Sequence, residues 1–416
     1  MKLEVIGLGY IGLPTALIFA DQGIDVVGVD LAVNVVNTLN QGVIHMKEKG
    51  LEHLLKQALK NKLFRAESVP EKADVFLIAV PTPYRSDKDR SCDVSAIISA
   101  ITGIIPFLEK GNTLIIESTI APGVMTDVVL PLIEAQGFHV GKDFFVAHCP
   151  ERVLPGNIIQ EIVNNSRIIG GITPNCQAKV KKIYETVVTG DIHLTTAPEA
   201  ELIKLVENTY RDINIAYGNE LVKICHHLGV DVHQVIGLAN QHPRVNIHSP
   251  GPGVGGHCLA VDPNFIVASA PMVSPLIQTA RRINNSMPEF VVSRIEELMA
   301  KGPTNKLTIL GMAYKGNVND MRESPSLTIV NQLQQNGYQV AIYDPCIDDY
   351  ATDFEGACRG SSLLVVLTDH DEFKEIFESQ TNAMANPQIF DTKNCVEIVP
   401  ESVAYHSFGN QFAEGR

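Results

Sequence analysis

From Thr196 to Val230 the chain reads "TAPEAELIKLVENTYRDINIAYGNELVKICHHLGV", a stretch with no strand signal. Everything before it, and everything after "KGPTN" (301–305), alternates short Val/Ile-rich runs with amphipathic segments. This one interruption limits the fold more than any other feature. Strand–helix alternation builds a doubly wound parallel sheet. A helix of about eight turns is too long for the inside of one such domain and suits a connector between domains or subunits. Thr196 followed by Glu199 reads as a capping box, with Pro198 in the first turn and Gly229 as the stop. The expectation is α/β: two Rossmann-like doubly wound domains joined by a central helical region with a long helix. The parts are residues 1–195, 196–300 and 301–416.

In the first part "LEVIGLG", "DVVGVD", "DVFLIAVP", "TLIIEST" and "FFVAHCP" read as buried parallel strands, and "LEHLLKQALKNKL" as a helix. In the last part "KLTILGMAYK", "YQVAIYDP" and "SLLVVLTD" read as strands. The two parts share a layout without a close sequence repeat. A net charge of −14 argues against nucleic acid as a partner, since phosphate backbones need a basic surface. The apolar runs are far shorter than the ~20 residues that cross a bilayer, and "MKLEVIGLG" reads as a first strand, not a leader. The eight cysteines are scattered with no C-x-x-C pair, so neither a metal site nor a disulfide framework is expected, and a reducing cytoplasm is.

The first strand ends in "VIGLGYIGLP", which places Gly7, Gly9 and Gly12 in a G-x-G-x-x-G turn before a helix. The first glycine makes the tight turn, the second admits a pyrophosphate, and the third lets helix and strand pack closely. Asp30, at the end of "DVVGVD", suits the ribose hydroxyls and repels a 2′-phosphate. The cofactor expected is therefore NAD. Thr82 in "AVPTP" and Thr119 in "ESTIAPG" follow later strands, where ligands collect in such sheets; each also has the make-up of a helix cap.

The segment Gly251–Pro263, "GPGVGGHCLAVDP", puts one thiol at the end of a glycine-rich loop. Such a loop allows close backbone approach, and its cysteine is accessible as a nucleophile. A thiol working beside a nicotinamide captures an aldehyde as a thiohemiacetal, which becomes a thioester and then an acid. Asp262 reads either as a proton-transfer group or as a cap on the following helix, and His257 as structural. Lys204, Asn208 and Arg211 share one face of the long helix, while Leu202, Leu205, Val206, Ile213 and Leu221 occupy others. Arg152, Arg244, Lys315 and Arg322 are basic groups near strand ends or loops of an acidic protein, which points to a phosphate-bearing ligand.

These residues together resemble the UDP-glucose/GDP-mannose dehydrogenase family. The resemblance runs through "GLGYIGLP", "VPTP", "ESTIAPG", "CPERVLPG", "KLVENTYRDINIAYGNEL", "GVGGHCLAVDP" and "YKGNVNDMRESP", nearly the whole chain. It implies oxidation of C6 of a UDP-sugar in two hydride transfers to NAD, by a homodimer paired through the long helix. "CPERVLPG", "HPRVNI" and "PGPGVGGHC" imply UDP-N-acetyl-D-mannosamine, and a uronate product for bacterial surface polysaccharide. UDP-N-acetylglucosamine and UDP-glucose are the alternatives, and a non-catalytic nucleotide sensor is a remote one.

The roles that follow from the resemblance are these. Cys258 is the nucleophile; Lys204 handles the alcohol proton, with Asn208 and Asp262 beside it; Glu151 is the base for thioester hydrolysis, with Thr119 near the same water. Gly7, Gly9, Tyr10, Ile11, Gly12, Asp30, Thr82, Thr119 and Arg322 contact NAD. Glu151, Arg152, Val153, Lys204, Asn208, Arg211, His242, Arg244, Gly255, Tyr314 and Lys315 contact the sugar nucleotide, Arg244 from the other subunit. UDP-glucose enzymes often carry a second acid four positions after Glu151. Here that position is Pro155, which counts against UDP-glucose.

Overall fold

The apolar runs of the first part are strands because both faces of each are covered. Leu3, Val5, Leu77 and Ile115 enter one core, and Ile6, Phe76, Ile78, Leu114 and Ile116 enter a second across the sheet. Each such side chain is worth ~1.5–3 kcal/mol when fully buried, so a strand buried on both sides reads as continuous Val/Ile/Leu. The computed structural model describes residues 1–46, 48–85, 90–153, 156–300, 302–350 and 353–409. Two compact units divide the chain, Met1–Glu207 and Asn208–Arg416.

The first unit holds eight strands: β1 (Lys2–Ile6), β2 (Asp25–Val29), β3 (Phe64–Glu67), β4 (Val75–Ile78), β5 (Thr113–Ile116), β6 (Phe145–His148), β7 (Arg167–Gly171) and β8 (Ile192–Thr196). Their order is β3-β2-β1-β4-β5-β6-β7-β8. The first six are parallel, as the alternation predicts. Strand β7 runs antiparallel to β6, and β8 parallel to β7. Strands β3, β7 and β8 are not legible in the sequence. β3 and β7 carry Arg65 and Arg167 within them, and β8 is largely exposed, so all three lack a long apolar run.

The second unit holds β9 (Lys306–Leu310), β10 (Gln339–Tyr343), β11 (Leu364–Val366), β12 (Gln388–Asp391) and β13 (Ala404–Ser407), all parallel. Their order, β10-β9-β11-β12-β13, repeats β2-β1-β4-β5-β6 of the first sheet. Strands β12 and β13 are short, and β13 is only half-buried, which hides them in the sequence.

Between β8 and β9 the described residues form helices. The longest spans Ala197–Leu228, 32 residues and about 48 Å. Its start is half a capping box. Glu199 accepts the Thr196 backbone N–H at 3.0 Å, but the Thr196 hydroxyl donates to the same carboxylate at 2.8 Å. The Thr195 hydroxyl, which donates to the same carboxylate, and then these two bonds hold the exposed Glu199 carboxyl down at about 2. Gly229, with φ of 69°, stops the helix as expected. Polar residues line much of its buried side: Glu201, Asn208, Thr209, Asp212 and Asn219. Leu202 and Val206 are exposed, in line with Tyr210, Tyr217, Ile224 and Leu228.

Candidate active site

In the first unit the turn after β1 makes an open cradle. Gly7 has φ of 91°, and its N–H donates to Val29 O at 2.8 Å, closing the β1 turn onto β2. A Cβ on Gly12 would stand 1.8 Å from the Gly7 carbonyl oxygen, so the helix Gly12–Asp21 packs here only with glycine. A Cβ on Gly9 would meet nothing within 4 Å. That space, in front of a helix N-terminus, fits a pyrophosphate. Tyr10 is exposed and Ile11 half-buried beside it. Asp30 accepts Leu8 N–H at 2.9 Å and Ala32 N–H at 2.8 Å, one on each oxygen, which leaves a lone pair on each for a ribose diol. The Thr82 hydroxyl donates to the Thr119 carbonyl at 2.5 Å. Neither threonine caps a helix; the bond ties together the loops after β4 and β5.

Deeper in the same unit lies a charged cluster that sequence reasoning missed. Arg167, on β7, is buried between two carboxylates, Glu117 and Glu151, with its Nη1 2.9 Å from Glu151 Oε2. Its guanidinium stacks over the Tyr184 ring at 4.4 Å, and the Tyr184 hydroxyl donates to Glu117 at 2.6 Å. Burial raises the Glu117 carboxyl from its ordinary 4.5 to about 7, against the pull of Arg167. Burial opposes the Arg167 charge, yet Glu151, Tyr184 and Glu117 outweigh it and hold the guanidinium well above its ordinary range. The other Glu151 oxygen accepts the Arg152 backbone N–H at 2.6 Å. Arg152 itself forks onto Glu207 of the long helix at 2.9 and 2.5 Å. Val153 packs against the core. A small pocket lined by Pro150, Glu151, Arg152, Ser166 and Arg167 opens beside the cluster. Pro155 lies outside the described residues. The missed signal was a single charge in each of two apolar runs, Glu117 in "TLIIEST" and Arg167 in "SRIIGG".

In the second unit the Cys258 loop is fastened to the long helix at both ends. Asn219 Oδ1 accepts Gly251 N–H at 2.9 Å, and Asn208 Nδ2 donates to Asp262 Oδ2 at 2.7 Å. Cys258 is half-buried, and its carbonyl accepts the N–H groups of Val261 and Asp262 at 3.0 and 2.8 Å. Asp262 is buried as the first residue of the helix Asp262–Ser269, so its carboxylate engages Asn208 and is not a cap. His257 is exposed. The loop's glycines serve packing before ligand. A Cβ on Gly255 would lie 2.7 Å from Glu323 O and 2.8 Å from Tyr314 Cβ, and one on Gly256 2.8 Å from Tyr314 Cε2. Of the remaining expected contacts, Lys315, Arg211, His242 and Arg244 are exposed. Arg322 is clamped onto Asp320 by its guanidinium at 2.6–3.1 Å. Lys204 is half-buried on the long helix, one turn before Asn208.

The second sheet repeats the first cradle in closed form. After β9 the sequence runs Gly311-x-Ala313-x-x-Gly316, against Gly7-x-Gly9-x-x-Gly12. Gly311, with φ of 97°, donates to Tyr343 O at 2.9 Å, as Gly7 does to Val29 O. Asp344 follows β10 as Asp30 follows β2, and accepts Met312 and Ala313 N–H at 2.6 and 3.0 Å. But Ala313 stands where Gly9 leaves space, and His370 Nε2 sits 3.1 Å from Asp344, where a ribose diol would bind. Only the first sheet keeps a dinucleotide cradle.

A doubly wound sheet with an open glycine cradle, followed by a loop-borne thiol pinned to a long helix, defines an NAD-binding dehydrogenase of the Rossmann class. The chain belongs to the UDP-glucose/GDP-mannose dehydrogenase family: its NAD binding domain matches residues 1–188, its central domain 198–286 and its UDP binding domain 308–398. The chain is 46% identical over 405 residues to the UDP-N-acetyl-D-mannosamine dehydrogenase of Methanocaldococcus jannaschii, covering 94% of this chain and 92% of that protein. It superposes on the UDP-N-acetyl-mannosamine dehydrogenase of S. aureus with a TM-score of 0.93 at 50% identity, covering 99% of each chain. It is 41% identical over 408 residues to the NDP-N-acetyl-D-galactosaminuronic acid dehydrogenase of Ralstonia nicotianae, covering 94% and 95%.

Two glycine substitutions separate packing from binding. Gly12→Ala drives a methyl into the Gly7 carbonyl and lowers unfolding stability by ~2 kcal/mol or more. Gly9→Ala changes stability by less than ~1 kcal/mol but weakens NAD roughly tenfold, because the methyl enters the pyrophosphate space. Urea denaturation and NAD titration read the two effects; equal stability losses would remove the cradle assignment.

A second test concerns Glu117. Its folded value is raised from 4.5 to about 7, so the folded state holds the proton more tightly than the unfolded state. The resulting stability is full below pH 4.5 and is lost as pH rises to about 7. Glu117→Gln has no such proton, so its Tm relative to wild type should climb across that window. A constant difference would place the Glu117 value near that of an ordinary carboxyl.

Proposed function

We propose that this chain is an NAD-dependent UDP-N-acetyl-D-mannosamine 6-dehydrogenase that makes the uronate for surface polysaccharide by four-electron oxidation. The observation that carries the reading is the Cys258 loop, held by Asn208–Asp262 and Asn219–Gly251. End-to-end identity of 46–50% to two enzymes of that name supports the choice of sugar. Bound NAD would supply the hydride acceptor, with a second NAD exchanged in for the second transfer.

In this reading Lys204 Nζ takes the proton of the C6 hydroxyl. Asn208 spends one amide hydrogen on Asp262 and has the other for the substrate oxygen, so Asp262 fixes the direction of that donor. The Cys258 thiolate adds to the aldehyde and holds it as a thiohemiacetal; loss of the second hydride leaves a thioester. Glu151, kept in place by Arg167 and the Arg152 backbone, takes a proton from the water that releases the acid. Thr119, whose carbonyl is tied to Thr82, is assigned to the same water by the family resemblance. Arg152 and Arg322 approach phosphate or sugar by exchanging Glu207 and Asp320 for the ligand.

The working unit is a homodimer. The exposed stripe Leu202, Val206, Tyr210, Tyr217, Ile224, Leu228, each 41–65% exposed, recurs at intervals of four or seven residues, the spacing of a helix seam. The cytoplasm is the proposed location: the eight cysteines are scattered with no C-x-x-C pair, and no described helix is long and apolar enough to cross a membrane.

Stoichiometry tests the chemistry. UDP-N-acetyl-D-mannosamine should give about two NADH per acid, with UDP-glucose much slower; a ratio near one, with aldehyde accumulating, overturns the four-electron reading. Co-expression tests the dimer. Lys204→Ala and Arg244→Ala should each be nearly inactive. Mixed in equal amounts they should recover about a quarter of wild-type activity, because about half the dimers are mixed and each mixed dimer has one whole site of two. No recovery in verified mixed dimers puts Arg244 in its own subunit's site or outside it.

A further inference from the structure

The closed cradle of the second sheet holds a thiol that the proposed reaction does not use. Cys346 occupies the place of Ala32 in the first sheet: its N–H donates to Asp344 Oδ1 at 2.8 Å, as Ala32 N–H donates to Asp30. Its Sγ lies 3.6 Å from His370 Nδ1. The other ring nitrogen of His370 faces the Asp344 carboxylate at 3.1 Å, and both residues are fully buried. Nδ1 also accepts Asn317 N–H at 3.0 Å, which fixes the tautomer: Nε2 carries the hydrogen and donates to Asp344, and the one lone pair of Nδ1 is shared between Asn317 N–H and Cys346, so a thiol proton reaches it by displacing that N–H. Thiol, imidazole and carboxylate thus stand in line, the arrangement in which an imidazole takes a thiol proton. Cys346 is the only one of the three that reaches solvent.

We propose that Cys346 is a peroxide-reactive thiol, activated by His370 and Asp344, whose oxidation loosens the Cys258 loop. The thiol proton passes to His370 Nδ1. The thiolate sulfur attacks one oxygen of hydrogen peroxide, the O–O bond breaks, and two electrons pass from sulfur to oxygen. The departing hydroxide takes the proton back from the imidazolium and leaves as water, giving Cys346 sulfenic acid. A metal centre is the poorer fit. Asp344 Oδ2 already accepts Met312 and Ala313 N–H and the His370 ring, so only Oδ1, which accepts Cys346 N–H, keeps a lone pair for a metal.

The consequence follows from what His370 and Asp344 hold. Three N–H groups of the loop 312–317 end on them: Met312 and Ala313 on Asp344, Asn317 on His370. Asn317 sits at φ of 60°, in the left-handed region that asparagine tolerates, with its side chain bonded to Asp371 at 2.8 and 3.0 Å. An oxygen added at Sγ, or a proton left on Nδ1, takes away the acceptor for Asn317 N–H. Tyr314, in the middle of that loop, is the residue packed on Gly255 and Gly256, two positions before Cys258. A chain of direct contacts inside the second unit therefore links Cys346 to the catalytic loop.

The test uses the full-length Cys258→Ala enzyme, so that the catalytic thiol does not compete. Cys395 is the reference within the same molecule. It too is half-buried, but burial and then the Asp391 carboxylate push its thiol up to about 12. With limiting peroxide and dimedone, peptide mapping should find Cys346 labelled at least tenfold faster than Cys395, and His370→Gln should remove most of that difference. Equal labelling in the unaltered pair overturns the proposal without any His370 variant. So does one equivalent of zinc that survives gel filtration, blocks labelling and is lost in Cys346→Ser, since that assigns the cluster to a metal. The link to the loop rests on the sugar-nucleotide reading above. Calorimetry should show peroxide weakening UDP-sugar binding at least fivefold in Cys258→Ala and not in Cys258→Ala/Cys346→Ser. Fast labelling with unchanged binding breaks the link and leaves the function intact; no UDP-sugar binding before peroxide breaks the function instead.

Discussion

The buried polar face of the long helix is what the rest of the active unit depends on. A glycine-rich loop has no internal ladder and loses much entropy on ordering. Asn208 and Asn219, eleven positions apart and hence on one side of the helix, grip Asp262 and Gly251 at the two ends of the loop. Asn284 and Arg281 complete the arrangement: Asn219 donates to Asn284, and Asp212 accepts from both Asn284 and Arg281. Burial raises the Asp212 carboxyl, with Arg281 pulling it back. Buried groups of this kind are costly if one partner is lost, so the loop has one place to sit, and Cys258 with it.

The two sheets show how one turn geometry serves two ends. Each places a left-handed glycine after its first strand and a carboxylate after its second, and each carboxylate accepts N–H groups from the glycine turn. In the first sheet the remaining lone pairs face open space. In the second, Ala313 and His370 fill it. The difference rests on a methyl and an imidazole. It explains why a chain with two sheets of matching order has one dinucleotide cradle, and why the second carboxylate is free to orient a histidine.

Charge follows a related logic in the first unit. Glu117, Glu151 and Arg167 share one buried cluster with the Tyr184 ring and hydroxyl. One guanidinium between two carboxylates leaves the group with one net negative charge in a poorly solvated place, and Glu117 responds by holding its proton to about 7. The basic side chains meanwhile have acidic stand-ins: Arg152 lies on Glu207 and Arg322 on Asp320. An acidic protein can thus keep arginines ordered on carboxylate partners.

Strand–helix alternation, the break at Thr196, the G-x-G-x-x-G turn with Asp30 and the lone thiol of "GVGGHC" were written in the sequence, because each is local: a period, a turn, a spacing within one element. The antiparallel β7, the short β12 and β13 and the exposed side of the long helix were not, because strand partners and solvent exposure are set by residues far along the chain. The sequence left Asp262 between cap and site, and its bond from Asn208, 54 residues away, is a contact that no local spacing encodes. Thr82 and Thr119 lost the capping reading because the next helices start after Val94 and Val124, and the Thr82 hydroxyl bonds the Thr119 carbonyl across 37 residues. Glycines 255 and 256 announced a close approach, but the sequence could not say that Tyr314 makes it. Cys346 passed as one scattered cysteine among eight. Its place opposite His370 exists only because parallel β10 and β11 flank β9 and bring the ends of two distant strands together, and long-range strand order is the property that local chemistry does not encode.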